Sequence, residues 1–439
     1  MFTRLNVPIV FSFMVLFLIY HPCTGQGFSN DNQGTKALGQ GNAFTARASD
    51  PSAIWFNPAG MTQLKGTHFY LGGNGLTHNP SYFSQEYNET YHSDNGFLIS
   101  PHFYLSHQFS KNLWAGLGFS TPINYLQNWG DDPLNNSVRT CDTFKLASYI
   151  FSPCMAFKIN ESISIGLGVH YLMSNIEIIL WDRQEIENLA RERLGETITD
   201  YYLRSIYSLS GNGLAFFGGI QARLSDAVIF GFSYQGGKDM ETKGTLDYEH
   251  ESTKYPSLDP LVQLGFPDGD ITSQGSTAVH QFTFGLALVL GLKFEFEVNY
   301  NYKLWSQLEK WPYVLSNPVI DEDLEYYDEG GIPWYWRNSG CLRFGSEFHV
   351  NDSLDLRAGL SVSQSPIPGE SLTLVVPDSN NTGIHLGLGY RINKLSIDIA
   401  YAYRFYGERA NEIPNWESYG ILVKKTQGSI FGISLGLEL

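Results

Sequence analysis

The feature that most constrains this chain is an alternation of apolar and polar residues at every second position, repeated in segments of about ten residues along most of its length. In 292–303, Phe294, Phe296, Val298, Tyr300 and Tyr302 alternate with Lys293, Glu295, Glu297, Asn299, Asn301 and Lys303. Successive side chains on a strand point to opposite sides, so one face is greasy and the other charged. The same pattern places Leu395, Ile397, Ile399, Tyr401, Tyr403 and Phe405 on one face, and Phe431, Ile433, Leu435, Leu437 and Leu439 on another. Beyond the first 25 residues no stretch is apolar enough to cross a bilayer as a helix, and the longest, 282–294, is too short and broken by glycines. In lipid, strands of this kind must close into a barrel, because only then does every backbone polar group find a partner.

Applied to the whole chain, the alternation predicts fourteen strands, near 66–76, 97–109, 113–125, 143–158, 162–172, 213–224, 227–236, 279–289, 292–303, 339–350, 354–364, 382–392, 395–405 and 429–439. At ~3.3 Å per residue and ~40° tilt each spans about 25 Å, the height of an outer-membrane apolar band. The connections at 110–112, 160–161, 225–226, 290–291, 351–353 and 393–394 are short and mostly carry Asn, Asp, Ser or Gly, while those between them are long. Short and long alternate as periplasmic turns and extracellular loops do in outer-membrane barrels. A secreted β-sandwich would show neither this regularity nor such apolar outer faces.

Composition agrees with a many-stranded membrane protein: aromatic residues make up 15%, charged residues 16%, and there are 44 glycines. The formal charge of -16, with no basic run longer than Lys424–Lys425, argues against nucleic acid as a partner. Residues 1–25 read as a signal peptide: Arg4 is followed by the apolar stretch 7–20 and the small residues of Cys23-Thr24-Gly25, with cleavage expected before Gln26. Of the four cysteines, Cys141, Cys154 and Cys341 then remain, without the spacing of a zinc site, and read as structural thiols. No metal or cofactor is expected.

Residues 26–65 hold Gly34, Gly39, Gly41 and Gly60 among short polar residues and can neither span a membrane nor build a core of their own. A fourteen-stranded barrel has a lumen wide enough to need filling, so this segment is expected inside it as a plug. Two loops, 173–212 and 237–278, are long enough to cover the outer mouth. Ile186, Leu189, Ala190 and Leu194 lie at helical spacing in the first, and Leu258, Leu261, Val262, Leu264 and Phe266 crowd the second. Pro122 interrupts an otherwise regular third strand, where a missing N–H would loosen the wall; Gly116 and Gly118 precede it.

Gly41-Asn42-Ala43-Phe44-Thr45-Ala46, Asp50-Pro51-Ser52-Ala53 and Phe56-Asn57-Pro58-Ala59-Gly60-Met61 resemble the hatch of the FadL/TodX long-chain fatty acid transporter family. Trp305-Ser306, Ser365-Pro366-Ile367-Pro368, Pro377-Asp378-Ser379 and Gly387-Leu388-Gly389-Tyr390-Arg391 are similar to that family's C-terminal half. The resemblance implies an all-β, 14-stranded antiparallel transmembrane barrel (66–439) around an N-terminal hatch (26–65) in the outer membrane of a Gram-negative bacterium. It implies diffusion-driven uptake of hydrophobic compounds, long-chain fatty acids foremost, through an internal apolar pocket and a lateral opening. By that likeness Gly27 and Phe28 lie in the pocket, Asn57, Pro58 and Ala59 anchor the hatch, and the opening falls at Pro122 beside Gly116 and Gly118. A carboxylate ligand would want a basic partner, for which Arg343 and Arg391 are the candidates.

The expected partners are a hydrophobic ligand, outer-membrane lipid and lipopolysaccharide, with the chain a monomer. The alternative reading is a polar porin or a surface adhesin barrel. No catalytic residue is expected. Gly432-Ile433-Ser434-Leu435-Gly436 matches a nucleophile-elbow pattern but lies in the last strand with no helix to follow, and His102, His107, His170, His280, His349 and His385 are read as satisfied or solvated.

Overall fold

Closure of the sheet follows from the strand ladder. In the computed structural model, which describes residues 27–439 apart from 85–87, 131–139, 183–194, 196–201, 252–258, 321–325 and 412–420, fourteen strands pair each with its neighbour in sequence along the wall. They are β1 (Thr67–His78), β2 (Leu98–Ser110), β3 (Leu113–Asn128), β4 (Thr140–Lys158), β5 (Ile163–Asp182), β6 (Tyr202–Arg223) and β7 (Val228–Gln235), then β8 (Gln281–Leu290), β9 (Phe294–Lys303), β10 (Ser339–His349), β11 (Leu354–Ser363), β12 (Asn381–Ile392), β13 (Leu395–Tyr406) and β14 (Thr426–Glu438). All neighbours are antiparallel, and β14 pairs with β1 from Glu438↔His68 to Gly428↔His78, so the fourteen-strand wall closes on itself. The signal-peptide reading of 1–25 lies outside the described residues.

Alternation sorts the two faces as the pattern predicts. Leu167, Phe216, Leu386, Phe431, Ile433 and Leu435 stand exposed on the outer face, while His102, Glu297, Asn299, Asn301 and His385 are buried inside. Cys141, Cys154 and Cys341 are buried, and no disulfide joins them among the described residues.

Two expectations are corrected. The stretch 173–212 is not all loop: β5 and β6 run for 20 and 22 residues and stay paired as far as Asp182↔Leu203. Above membrane height the polarity of the faces inverts. Ile176 and Ile178 turn inward to a buried cluster, whereas Asn175 faces water, so a pattern sought as apolar-outward no longer registers. The lid-helix residues Ile186, Leu189, Ala190 and Leu194 lie outside the described residues. Likewise 237–278 forms strands Lys238–Glu251 and Gly269–Ala278 with a short helix Asp259–Gly265, and the first strand continues the wall by pairing with β6. Val262 and Phe266 pack inward, but Leu264 is 71% exposed.

Residues 27–64 lie among the inward-facing side chains. Short helices Thr35–Leu38 and Ala53–Phe56 and the 3-10 turn Pro58–Gln63 carry buried Leu38, Ile54, Trp55 and Met61, and Phe44 is buried between the two helices in sequence. Glycines of the wall make room for this segment. A Cβ at Gly166 would lie 2.5 Å from the Pro58 carbonyl carbon, one at Gly345 2.5 Å from Gln40 O, and one at Gly116 2.7 Å from both Ile54 and Met61. These glycines are the footprint of the segment on the wall.

Candidate functional site

Polar contacts fix the N-terminal segment to the wall at two levels. Toward the short turns, Glu297 of β9 accepts the backbone N–H groups of Ala46 (2.7 Å) and Arg47 (3.0 Å). The Arg47 guanidinium reaches Glu297 at 3.0 Å, Glu295 at 3.2 Å and Glu347 at 3.6 Å. Burial works against the Arg47 charge, but Glu297, Glu347 and Glu295 outweigh it and hold its pKa above the ordinary value. Glu347 also meets Lys36 at 3.2 Å and Arg357 at 3.0 Å. This arrangement pairs charges largely withdrawn from water, and it ties β9 and β10 to the loop that carries Arg47.

Asn57, Pro58 and Ala59 sit beside it. The Asn57 amide donates to Thr45 O (2.9 Å) and to Ile220 O of β6 (3.0 Å), and its oxygen accepts from Ala59 N (3.2 Å). Pro58 opens the 3-10 turn with a fixed φ and no N–H to satisfy.

The second level lies nearer the long loops. Phe28 is held edge-on to Trp305 (5.3 Å between ring centroids) and Trp334 (6.0 Å) and tilted against Trp336 (5.3 Å). Gly27 has φ +54, and a Cβ there would lie 2.7 Å from the Trp336 ring, so only glycine lets the chain enter this aromatic cage. Phe28 separates two cavities. An outer one is lined by Phe144, Leu146, Ile176, Leu308, Trp311 and Trp334, with Lys310 as the charged residue. An inner one runs past Trp55, Pro122, Ile150, Leu172, Lys303 and Trp305.

Pro122 marks an irregularity in the wall. In the β3–β4 ladder Ser120 pairs with Ile150 and Ile123 with Ser148, so Thr121 and Pro122 together stand opposite one residue. On the other side the β2–β3 ladder ends at Phe103↔Phe119 although both strands continue. The N-terminal segment takes up the freed backbone groups: Asn30 N donates to Pro122 O (2.6 Å), Gln33 Nε2 to Thr121 O (2.9 Å), and Thr121 N to Gln33 Oε1 (3.0 Å). Gly116 and Gly118 lie below this point, inward-facing against Ile54 and, for Gly118, Tyr104.

Arg343 and Arg391, the two candidates for a carboxylate's basic partner, lie in different surroundings. Arg343 is buried and binds Asp31, as does Lys303 at 2.8 Å. Burial would raise the Asp31 pKa, but Lys303 and Arg343 prevail and keep it well below the usual carboxylate range. Arg391 is exposed at the short-turn end of β12, at a polar cleft with Lys36, Asp50 and Asp398, and does not line either apolar cavity. Sequence reasoning missed Asp31 and Lys310. Lys303 was legible as inward-facing, but nothing local in the sequence reveals its partner 272 residues away.

Ser434 of the Gly432–Gly436 motif bonds Thr35 Oγ1 at 2.6 Å and His102 Nε2 at 2.9 Å. His102 Nδ1 has no partner among the described residues, so no acid orients this pair as a hydrolytic triad requires.

A family model described as outer membrane protein transport protein (OMPP1/FadL/TodX) matches residues 23–436. The chain is 22% identical over 408 residues to the long-chain fatty acid transport protein of Escherichia coli O6:H1, covering 86% of this chain and 85% of that protein. It is 21% identical over 403 residues to a putative outer membrane protein of Neisseria meningitidis serogroup B, again over 86% and 85%. Among solved structures, a Pseudomonas aeruginosa FadL homologue superimposes with a TM-score of 0.81 at 17% identity over 94% of this chain and 100% of that one. The Pseudomonas putida toluene transporter TodX gives 0.71 at 15% identity over 95% and 99%.

Proposed function

Since the chain belongs to the outer membrane protein transport family (OMPP1/FadL/TodX), a family of outer-membrane barrels that carry hydrophobic compounds, we propose that its own substrates are long-chain fatty acids taken up by diffusion. In this reading a ligand enters the outer cavity, passes Phe28, and leaves sideways at the Pro122 bulge. The observation that carries it is the placement of Phe28 between an apolar outer cavity and an inner one that reaches Pro122 and Ile123. Lys310 is the better-placed partner for a carboxylate at the outer cavity than Arg391, which lies at the opposite end of the barrel wall. Residues 27–64 act as the hatch, with Asn57, Pro58 and Ala59 as its anchor. The exposed apolar band meets outer-membrane lipid and lipopolysaccharide, and one chain is the working unit.

Native mass spectrometry of the purified protein should reveal retained fatty acids, and Phe28→Glu, which puts a charge into the aromatic cage, should abolish that retention. Retention of only small aromatic hydrocarbons would replace fatty acids as the substrate. Asn57→Ala removes three hydrogen bonds from a buried turn and should destabilise the hatch by about 1–3 kcal/mol. Increased protease sensitivity of 27–64 and reduced uptake are expected, with the barrel still shifting on gels upon boiling. Unchanged uptake in an assembled variant would remove Asn57 from the anchor.

A further inference from the structure

At the short-turn end of the wall, neighbouring strands bring three metal-ligating side chains together. Glu295 of β9 stands directly opposite Glu347 of β10, His349 follows Glu347 two residues on, and Asp355 of β11 stands opposite His349. Residues two apart on a strand share a face, so these side chains converge. One oxygen each of Glu295 and Glu347 and a ring nitrogen of His349 lie within 4.8 Å of one another. Like charges directly opposite in a ladder repel. Lys36, Arg47 and Arg357 bring three positive charges to the surrounding ion pairs, but Glu295, Glu297, Glu347, Asp355 and Asp398 bring five negative ones. With His349 neutral, the excess is the charge that one divalent cation would cancel.

The imidazole is already set for a metal. Its Nδ1 lies 2.6 Å from Asp355 Oδ1, and because a carboxylate can only accept, Nδ1 donates and Nε2 keeps its lone pair. Nε2 faces Glu295 Oε1 across 3.6 Å, too far for a hydrogen bond but close to the ~3.4 Å between two ligands on a tetrahedral zinc. The oxygens are divided as well. Glu295 Oε2 and Glu347 Oε1 hold cations at 3.2 Å or less, whereas Glu347 Oε2 is met only by Gln40 at 3.3 Å and Arg47 at 3.6 Å among the described residues. Glu295 Oε1 and Glu347 Oε2 therefore keep lone pairs to give.

We propose that Glu295, Glu347 and His349 hold a zinc ion at the short-turn end of the barrel, with Asp355 orienting the imidazole and water completing the coordination shell. A histidine among the carboxylates selects zinc over magnesium and calcium, which prefer oxygen alone. Glu295 and His349 are 25% and 31% exposed, so an ion reaches them from solvent. Bound there, it staples β9 to β10 beside their turns. The Arg47 anchor stays in place, because Arg47 draws on the other oxygen of Glu295 and on Glu297. The ligands come from two strands, so no short sequence motif announces them.

The test uses the full mature protein in detergent, stripped of metal with a chelator and titrated with Zn2+ by calorimetry. Wild type should bind one zinc per chain and keep it against about a thousandfold excess of Mg2+. His349 lies outside the Arg47 ion pairs, so His349→Ala leaves the anchor intact and should weaken zinc at least about tenfold. Asp355→Asn should also weaken it about tenfold, yet Co2+ bound in place of zinc should keep its wild-type visible absorption, because the ligands themselves are unchanged. A further measurement needs no variant. Diethyl pyrocarbonate should modify His349 in the stripped protein, and zinc should slow that reaction at least about tenfold while the exposed His107 reacts as before. No zinc binding by wild type, undiminished binding by His349→Ala, ready displacement by Mg2+, or no protection of His349 overturns the site.

Discussion

Arg47→Ala should turn a barrel expected to pass almost no ions into a conducting pore. Arg47 is the cation shared by Glu295, Glu297 and Glu347, and Glu297 also holds the backbone of residues 46 and 47. Removing it leaves the buried Glu297 without its cation, at a cost of about 3–5 kcal/mol, and the repulsion falls on the loop that ties the segment to β9 and β10. The wall strands keep their ladders, so the barrel itself should still migrate differently before and after boiling. Planar-bilayer recordings should show conductance at least about tenfold above wild type, since an emptied fourteen-stranded lumen is wide enough for hydrated ions. Wild-type protein that already conducts freely would instead favour the porin reading. A silent but properly assembled Arg47→Ala would mean that residues 27–64 stay seated by apolar packing alone.

Deleting Pro122 should nearly abolish uptake while sparing ligand capture. The bulge inserts one extra residue between Ser120 and Ile123, so its removal lets Thr121 pair opposite Tyr149 and leaves the faces of Ser120 and Ile123 unchanged. The strand then regains its ladder and loses the residue that has no N–H. Uptake of a labelled fatty acid should fall at least about tenfold, with retention at the outer cavity unaltered. A bulky residue at Gly116 is a weaker test, because Ile54 and Met61 already cover that position and the substitution would disturb the hatch first. Normal uptake without Pro122 would show that substrate passes straight through the lumen or by another gap.

The strands and their short turns were legible in the sequence because the information is local. A period of two sets which side chains face lipid, and each turn is written in a few residues such as Asn160-Glu161 or Asn393-Lys394. That reading failed above membrane height, in β5 and β6, because there the solvent outside changes from lipid to water and the apolar face turns inward at Ile176 and Ile178. The inward position of Lys303 and Arg343 could be read from alternation, and so could the break at Pro122. What they meet could not. Asp31 lies 272 residues from Lys303 and 312 from Arg343, and Glu297 lies 250 from Arg47, so closure of the barrel and insertion of the N-terminal segment alone bring them together. Alternation fixes which way a side chain points, but its partner depends on what fills the lumen at the same height, and that is decided only by the tertiary structure.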